Sequence, residues 1–352
     1  MNVNRLIRVR DGDVVNALRQ FLALWWRHYK LEALLAPVEV PTRSTVVTQV
    51  IEDPAGLAAV NPFAPLMLAN TAAIGEYAQR YAGRRVAAML RPCELRTLVE
   101  LRKQGRLPAE ADEVVILGLD CLGTFPADGY ARRMQERGAA EMMREVLIYA
   151  DEGGLTPQDF RTACQVCSWP APRGADLTLG VFGTNAGGYL LLIARDEAVD
   201  ARLGLSVVTS GLATESQVVR REVAVGAVAE RRAKARAQLE SISHDEHPFG
   251  DLGRRLSWFA SCCLCGDCLD ACPLYNGELT GLLGVHGARP PLAELVDVTR
   301  WLASCSGCGM CEAACDQRVP LMRLISPLSR QIQGALHHTA GDPARPLPWA
   351  SG

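Results

Sequence analysis

Two short cysteine runs towards the end of the chain constrain its folding more than anything else in it. The first places Cys262, Cys265, Cys268 and Cys272 before Pro273, a C-x2-C-x2-C-x3-C-P spacing. Three thiols set three residues apart occupy one tight loop, where their sulfurs can meet three corners of a cube. The fourth opens a helix directed elsewhere, and this is the spacing that wraps thiolates around a 4Fe–4S cluster. The second run repeats it as Cys305, Cys308, Cys311 and Cys315, with Asp316 in place of the proline. Trp258, Ala260, Ser261, Gly266 and Ala271 recur at the same offset as Trp301, Ala303, Ser304, Gly309 and Ala314. A whole cluster-binding unit is therefore duplicated, and two clusters are expected. In two-cluster units the fourth cysteine of each run serves the other cluster. That assigns Cys262, Cys265, Cys268 and Cys315 to one and Cys305, Cys308, Cys311 and Cys272 to the other. Structural zinc, the rival reading, favours CxxC pairs held apart rather than four cysteines in one run.

With 352 residues, 49% of them hydrophobic, the chain has room for two domains and a real core. A formal net charge of −2 and the lack of a Lys/Arg-rich tract argue against a nucleic-acid partner. No apolar run approaches the length of a membrane span, and the N-terminus lacks the apolar stretch of a signal peptide. A cytoplasmic location is expected, where cysteines bind metals more readily than they pair.

In chain order, apolar positions at helical spacing predict a helix over 12–24, ended by Trp25 and Trp26. Alternating β-branched residues predict two strands over 33–51 with a turn at Pro41–Ser44. Residues 71–82 read as a helix. Arg85–Leu90 reads as a buried strand running into a helix over 95–103, and Val114–Leu119 as another followed by a helix over about 128–145. That rhythm belongs to an α/β domain with a parallel or mixed sheet, in which ligands gather at the carboxyl ends of strands. Cys93 and Cys121 both sit at such ends. Thr156, Pro157 and Asp159 form a helix start. Asp176–Phe182 and Tyr189–Ala194 read as strands around a glycine-rich loop, Gly183–Gly188, which suits either a plain turn or close approach to a phosphate or ring. Residues 214–241 predict a long helix, solvated on one side. The domains expected are an α/β domain over 1–242, a small α-helical two-cluster ferredoxin domain over 243–336, and a disordered tail over 337–352.

Thirteen cysteines, less the eight in the two runs and the unmatched Cys263, leave Cys93, Cys121, Cys164 and Cys167. Four is the number that a third 4Fe–4S cluster needs; the alternative is four separate buried thiols acting as small hydrophobes. The six histidines are scattered, and none reads as a ligand. No hydrolytic triad, phosphate-binding Walker loop or paired-carboxylate motif is present.

The first two thirds of the chain resembles the coenzyme F420 hydrogenase/dehydrogenase beta-subunit family. The likeness rests on Gly12–Leu18, on Arg91, Pro92, Cys93 and Glu94 before a helix, on Leu119, Asp120 and Cys121, and on Cys164 and Cys167 followed by Ala175–Gly180. The resemblance implies FAD, an iron–sulfur cluster held by the four upstream cysteines, and electron exchange with a deazaflavin, coenzyme F420. Gly183, Thr184, Asn185 and Gly188 are the candidate flavin contacts. The C-terminal part resembles the α-helical ferredoxin domains of heterodisulfide reductase and succinate dehydrogenase iron–sulfur subunits. The expectation is an oxidoreductase subunit joining a two-electron hydride carrier, through FAD, to one-electron transfer through 4Fe–4S clusters. Its partner is the catalytic subunit of a hydrogenase, a formate dehydrogenase or a heterodisulfide-reductase-like complex. The alternative is an electron-transfer adapter without a flavin.

Overall fold

Strands buried at every position need cover on both faces, and Val86–Leu90 and Val115–Leu119 are such strands. The computed structural model describes residues 1–70, 74–151, 159–184, 188–241, 257, 259–275 and 292–350. Seven strands form one mixed sheet: β1 (Val3–Arg8), β2 (Ala33–Val40), β3 (Thr45–Ile51), β4 (Val86–Leu90), β5 (Val115–Leu119), β6 (Leu177–Gly180) and β7 (Tyr189–Ala194). Their order is β1-β7-β6-β5-β4-β2-β3. β2, β4, β5 and β6 run parallel, and the antiparallel strands β3, β7 and β1 close the two sides. The expected strand pair over 33–51 is β2 and β3.

Side-chain alternation divides the core. Ala87 and Met89 of β4 join one cluster, Val86, Ala88 and Leu90 the other. The first is covered by α1 (Val14–Tyr29), which buries Leu18, Phe21, Leu22 and Trp25 at i, i+3, i+4 and i+7. Burying each such side chain contributes about 1.5–3 kcal/mol over leaving it in water. The second is covered by α2 (Gly75–Arg80) and α3 (Pro92–Lys103). Asp13 caps α1 by accepting from the Asn16 amide at 2.9 Å. Contrary to expectation, Trp25 and Trp26 do not end this helix. Both are buried in it, Trp25 stacks on Tyr29, and the turn comes at Lys30 with φ of 55°.

α4 (Ala127–Asp151) is interrupted at Gly138, whose φ is 79°. Short helices α5 (Thr162–Gln165), α6 (Glu197–Arg202) and α7 (Leu205–Val208) precede the long α8 (Glu215–Ser241). The predicted helix start at Thr156 and Pro157 lies outside the described residues. Beyond α8 the described elements are all helical: α9 (Asp267–Asp270), α10 (Leu292–Ala303), α11 (Met310–Ala313) and α12 (Leu321–Ala335). They dock on α3 and the turn after it, where Thr97 donates to Ser306 at 2.7 Å, Gln104 to Ser304 at 3.1 Å, and Arg106 to the Leu274 carbonyl at 2.8 Å.

The tail is not free. His338 and Leu347 are buried, and the fully buried carboxylate of Glu100 on α3 accepts from the Gly341 amide at 2.9 Å and lies 3.4 Å from His338 Nε2. Proline and glycine signalled irregular backbone there, but the polar tail has a buried charge to meet.

Candidate metal centres and the cavity between them

The carboxyl ends of the parallel strands carry the first group of thiols. Pro92 opens α3 directly after β4, which puts Cys93 in the first turn of that helix, while Glu94 turns back to accept from the Arg91 amide at 2.8 Å. Cys121 follows β5 by two residues, and its amide donates to the Pro170 carbonyl at 2.7 Å. Cys164 sits on α5 and Cys167 just beyond it. All four line one small cavity, together with Met67, Trp169, Arg91, Arg161, Arg232 and one thiol from the second run, Cys308.

The loop bearing Cys121 is fixed by its neighbour. Asp120 is buried, accepts from the Val181 amide at 3.0 Å and pairs through both oxygens with Arg221 of α8. Gly180 leaves room for this pair, since a Cβ there would lie 2.6 Å from Arg221 Nε. Thr124 Oγ1 lies 3.3 Å from Cys164 Sγ and accepts from Arg161 Nε at 2.8 Å.

Three guanidinium groups, those of Arg91, Arg161 and Arg232, are buried at this cavity. Arg91 Nη2 donates to the Ala64 and Leu66 carbonyls, and Arg232 Nη2 to those of Cys121 and Leu122. Arg161 Nη2 reaches Cys164 Sγ at 3.8 Å. Arg161 Nη1 and Arg232 Nε, both buried, have no partner among the described residues. Burial disfavours the Arg161 charge, but the thiols of Cys164, Cys93 and Cys308 around it reverse that and hold it above its ordinary value. Burial pushes the Cys121 thiol up to about 11, aided by Cys164, and raises Cys93 well above its usual range with help from Glu94, Cys121, Cys308 and Cys167. Burial acts on Cys164 likewise, yet Arg161, the Thr124 hydrogen bonds and Arg232 together bring it below its ordinary value. Four thiols, buried cations and orphaned N–H donors fit an anionic cluster, whose sulfurs supply the missing acceptors. Uncompensated buried guanidinium groups would be costly without one.

Seven of the eight C-terminal cysteines fall into two neighbourhoods, and Cys265 lies beside Cys263 and Asp267. Cys311 is raised by burial and then by Cys305, Cys308 and Cys272; Cys305, pushed up to about 12, responds to burial, Cys308 and Cys272. Trp301 Nε1 points at Cys272 Sγ at 3.3 Å. Cys268 is raised by burial and then by Cys315 and Cys262. The duplication extends to the backbone: Gly266 and Gly309, with φ of 88° and 71°, begin the equivalent helices α9 and α11. Cys262, Cys263 and Cys265 are exposed. Among the described residues no three His, Cys, Asp or Glu side chains are placed to hold a single metal ion. Thiolates on separate corners of a cube stand further apart than the four that close on one zinc about 2.3 Å away.

The glycine loop sits elsewhere. Thr184 is buried and donates to the Val181 carbonyl at 3.0 Å, and a side chain at Gly183 would meet the Arg220 carbonyl of α8 at 2.8 Å. Gly188 accepts from the Val9 amide through its carbonyl at 3.1 Å. Neither Gly183, Thr184 nor Gly188 lines the cysteine cavity, and Asn185 lies outside the described residues. A larger cleft of about 1110 Å³ opens between the α/β domain and the C-terminal helices, lined in part by Met67, Phe125, Phe160, Arg161, Met310 and Arg318.

Residues 83–217 match the family model that describes the C terminus of the coenzyme F420 hydrogenase/dehydrogenase beta subunit. That stretch contains Cys93, Cys121, Cys164 and Cys167, the thiols of the first cavity. Residues 83–217 belong to this family. A curated relative, F420-dependent formate dehydrogenase 1 subunit beta of Methanococcus maripaludis, is 28% identical over an alignment covering 31% of this chain and 33% of the relative. The chain thus spans about a third of that relative's length. A chain in the F420-reducing NiFe hydrogenase complex from Methanosarcina barkeri superposes with a TM-score of 0.48 at 12% identity, covering 69% of this chain and 92% of that one.

The residues that sequence reasoning missed are the arginines. Arg221, Arg232 and Arg236 lie on α8, where separations of 11 and 4 residues return to nearly one helix face. Arg236 Nη1 donates to the Val166 carbonyl at 3.0 Å and to Ser168. That spacing was the available signal, within a helix read as a solvated connector. Among the described residues no helix is long and apolar enough to cross a membrane.

Proposed function

We propose that this chain is an iron–sulfur electron-transfer subunit of an oxidoreductase, with three 4Fe–4S sites and a flavin next to them. The observation that carries the proposal is the gathering of Cys93, Cys121, Cys164 and Cys167 at one cavity walled by buried guanidinium groups. These four would hold one cluster, and the two C-terminal groups one each. When bound, FAD supplies exchange of electron pairs with a hydride carrier and of single electrons with the clusters. Coenzyme F420 is the carrier that the relatives suggest, and the partner is the catalytic component of a hydrogenase, a formate dehydrogenase or a heterodisulfide-reductase-like complex.

The large cleft is the space proposed for the flavin. It is apolar where Met67, Phe125 and Phe160 line it, and Arg161 borders both it and the cysteine cavity. Arg161 would hold its positive charge between the two groups while its remaining N–H donors serve them. The C-terminal helices form one wall of the cleft through Met310, Ala313 and Arg323.

An adapter without flavin is the second reading, favoured by the placement of Gly183 and Thr184 against α8 rather than along either cavity. Anaerobic isolation with iron, sulfide and flavin counts tests both. About twelve irons per chain and one flavin are expected. About eight irons would remove the third cluster, and failure to bind flavin on titration would leave the adapter. The variant Cys93→Ser is expected to lose about four irons while keeping the others.

A further inference from the structure

Resting on the three-cluster reading, we propose that the second cysteine run holds the middle site. In this arrangement Cys308 is the thiol through which that site abuts the upstream one, and the first run forms the outer, solvent-facing end. Sequence symmetry makes the two runs interchangeable in this respect; the fold does not. Cys308 lines the same cavity as Cys93, Cys121, Cys164 and Cys167, and no thiol of the first run does. Charge on Cys308 acts on both Cys93 and Arg161. From its other side Cys308 is a neighbour of Cys305 and Cys311. One residue therefore belongs to two thiol groups.

The surrounding residues are built for this contact. Ser306 is buried and held by Thr97 of α3 at 2.7 Å, four residues from Cys93. Gly309 packs on α5 so closely that a Cβ there would overlap that of Ala163, next to Cys164. At the matching position of the first run a Cβ on Gly266 meets nothing within 4 Å among the described residues. Around it Cys262 and Cys265 are exposed, and Leu264 is 57% exposed. The duplicated unit thus presents Cys308 to the cysteine cavity and Cys262 and Cys265 to solvent, while Cys315, the fourth ligand assigned to the first-run site, lines the larger cleft.

An electron crossing beside Cys308 would move without a proton, one site being oxidised by one as its neighbour is reduced by one. Two crossings match one electron pair from the hydride carrier, and a one-electron redox protein at the outer end completes the balance.

The test is magnetic interaction between reduced clusters in the anaerobically prepared full-length chain, followed by electron paramagnetic resonance. Cys265→Ser removes the first-run site, and the broadening between the upstream and second-run clusters is expected to persist. Cys311→Ser removes the second-run site, and two non-interacting spectra are expected. The reverse pattern overturns the order. Gly309→Ala adds only the Cβ that meets Ala163 and removes no thiol, so in preparations whose iron matches the wild-type count the interaction should weaken. An unchanged interaction in that variant, at wild-type iron, overturns the contact even if both serine variants fail to fold. About eight irons in the wild type would instead remove the third cluster itself, and the order with it.

Discussion

Replacing Arg161 by methionine should lower the reduction potential of the upstream cluster. The guanidinium is buried and its Nη2 lies 3.8 Å from Cys164 Sγ. At that distance a unit charge pair interacts by about 4 kcal/mol at an effective dielectric near 20. The electron added on reduction spreads over the cube rather than resting on one sulfur, so roughly 1.5–2 kcal/mol of this should act on the couple. One electron and a tenfold change in equilibrium constant correspond to about 59 mV, which converts the loss to roughly 60–90 mV. Arg161→Lys keeps the charge on a shorter reach and should recover half or more of the shift. Spectroelectrochemical titration of the three proteins, each with its iron counted, measures this. A shift below about 20 mV in the methionine variant, with iron unchanged, would refute the electrostatic role given to Arg161.

Two further outcomes follow from the buried charges. Asp120→Ala leaves Arg221 without its partner and the Val181 amide without an acceptor. It should cost about 3–5 kcal/mol of stability, read from urea unfolding, and Arg221→Met in the same chain should restore most of that. At Glu100, burial raises the carboxyl, but His338, the Gly341 amide and Lys103 together hold it below its ordinary value. Its contribution is therefore fully present above the ordinary carboxylate range and is lost as pH falls through the depressed value. Glu100→Gln imitates the acid form at neutral pH and should release the tail by about 1–3 kcal/mol, seen as faster limited proteolysis after His337.

The chain shows its chemistry in sequence wherever the ligands are local. The two C-terminal runs encode their loops by spacing alone, because a loop of three thiols is decided within a dozen residues. The upstream cysteines show only as a remainder. The spacing between Cys93, Cys121 and Cys164 carries no signature, since the register of β4, β5 and β6, not the separation along the chain, brings them to one cavity. Arginines are harder still: a lone Arg161 or Arg232 in sequence reads as surface, and its burial depends on how the loops bearing Cys121 and Cys164 close around it. β1 escaped reading because Val3–Arg8 is half-buried and pairs with β7 and with the backbone of 210–213, all nearly two hundred residues away or more. The tail misled for the opposite reason. Its composition is that of a loop, while Glu100, the charge that orders it, lies on α3.

The distribution of charge distinguishes the two ends of the assembly. The inner cavity is bordered by Arg91, Arg161 and Arg232, all buried, where the low dielectric gives each charge its greatest reach. The outer run has Asp267 and Asp270 on α9 among exposed thiols, and burial first of all raises the partly buried Cys268 beside them. A cluster gains negative charge on reduction, so buried cations raise its potential, and nearby carboxylates lower it by an amount that water screens. If both sites hold the same cluster type, these surroundings would set them apart in potential, with the higher at the end buried against the α/β domain.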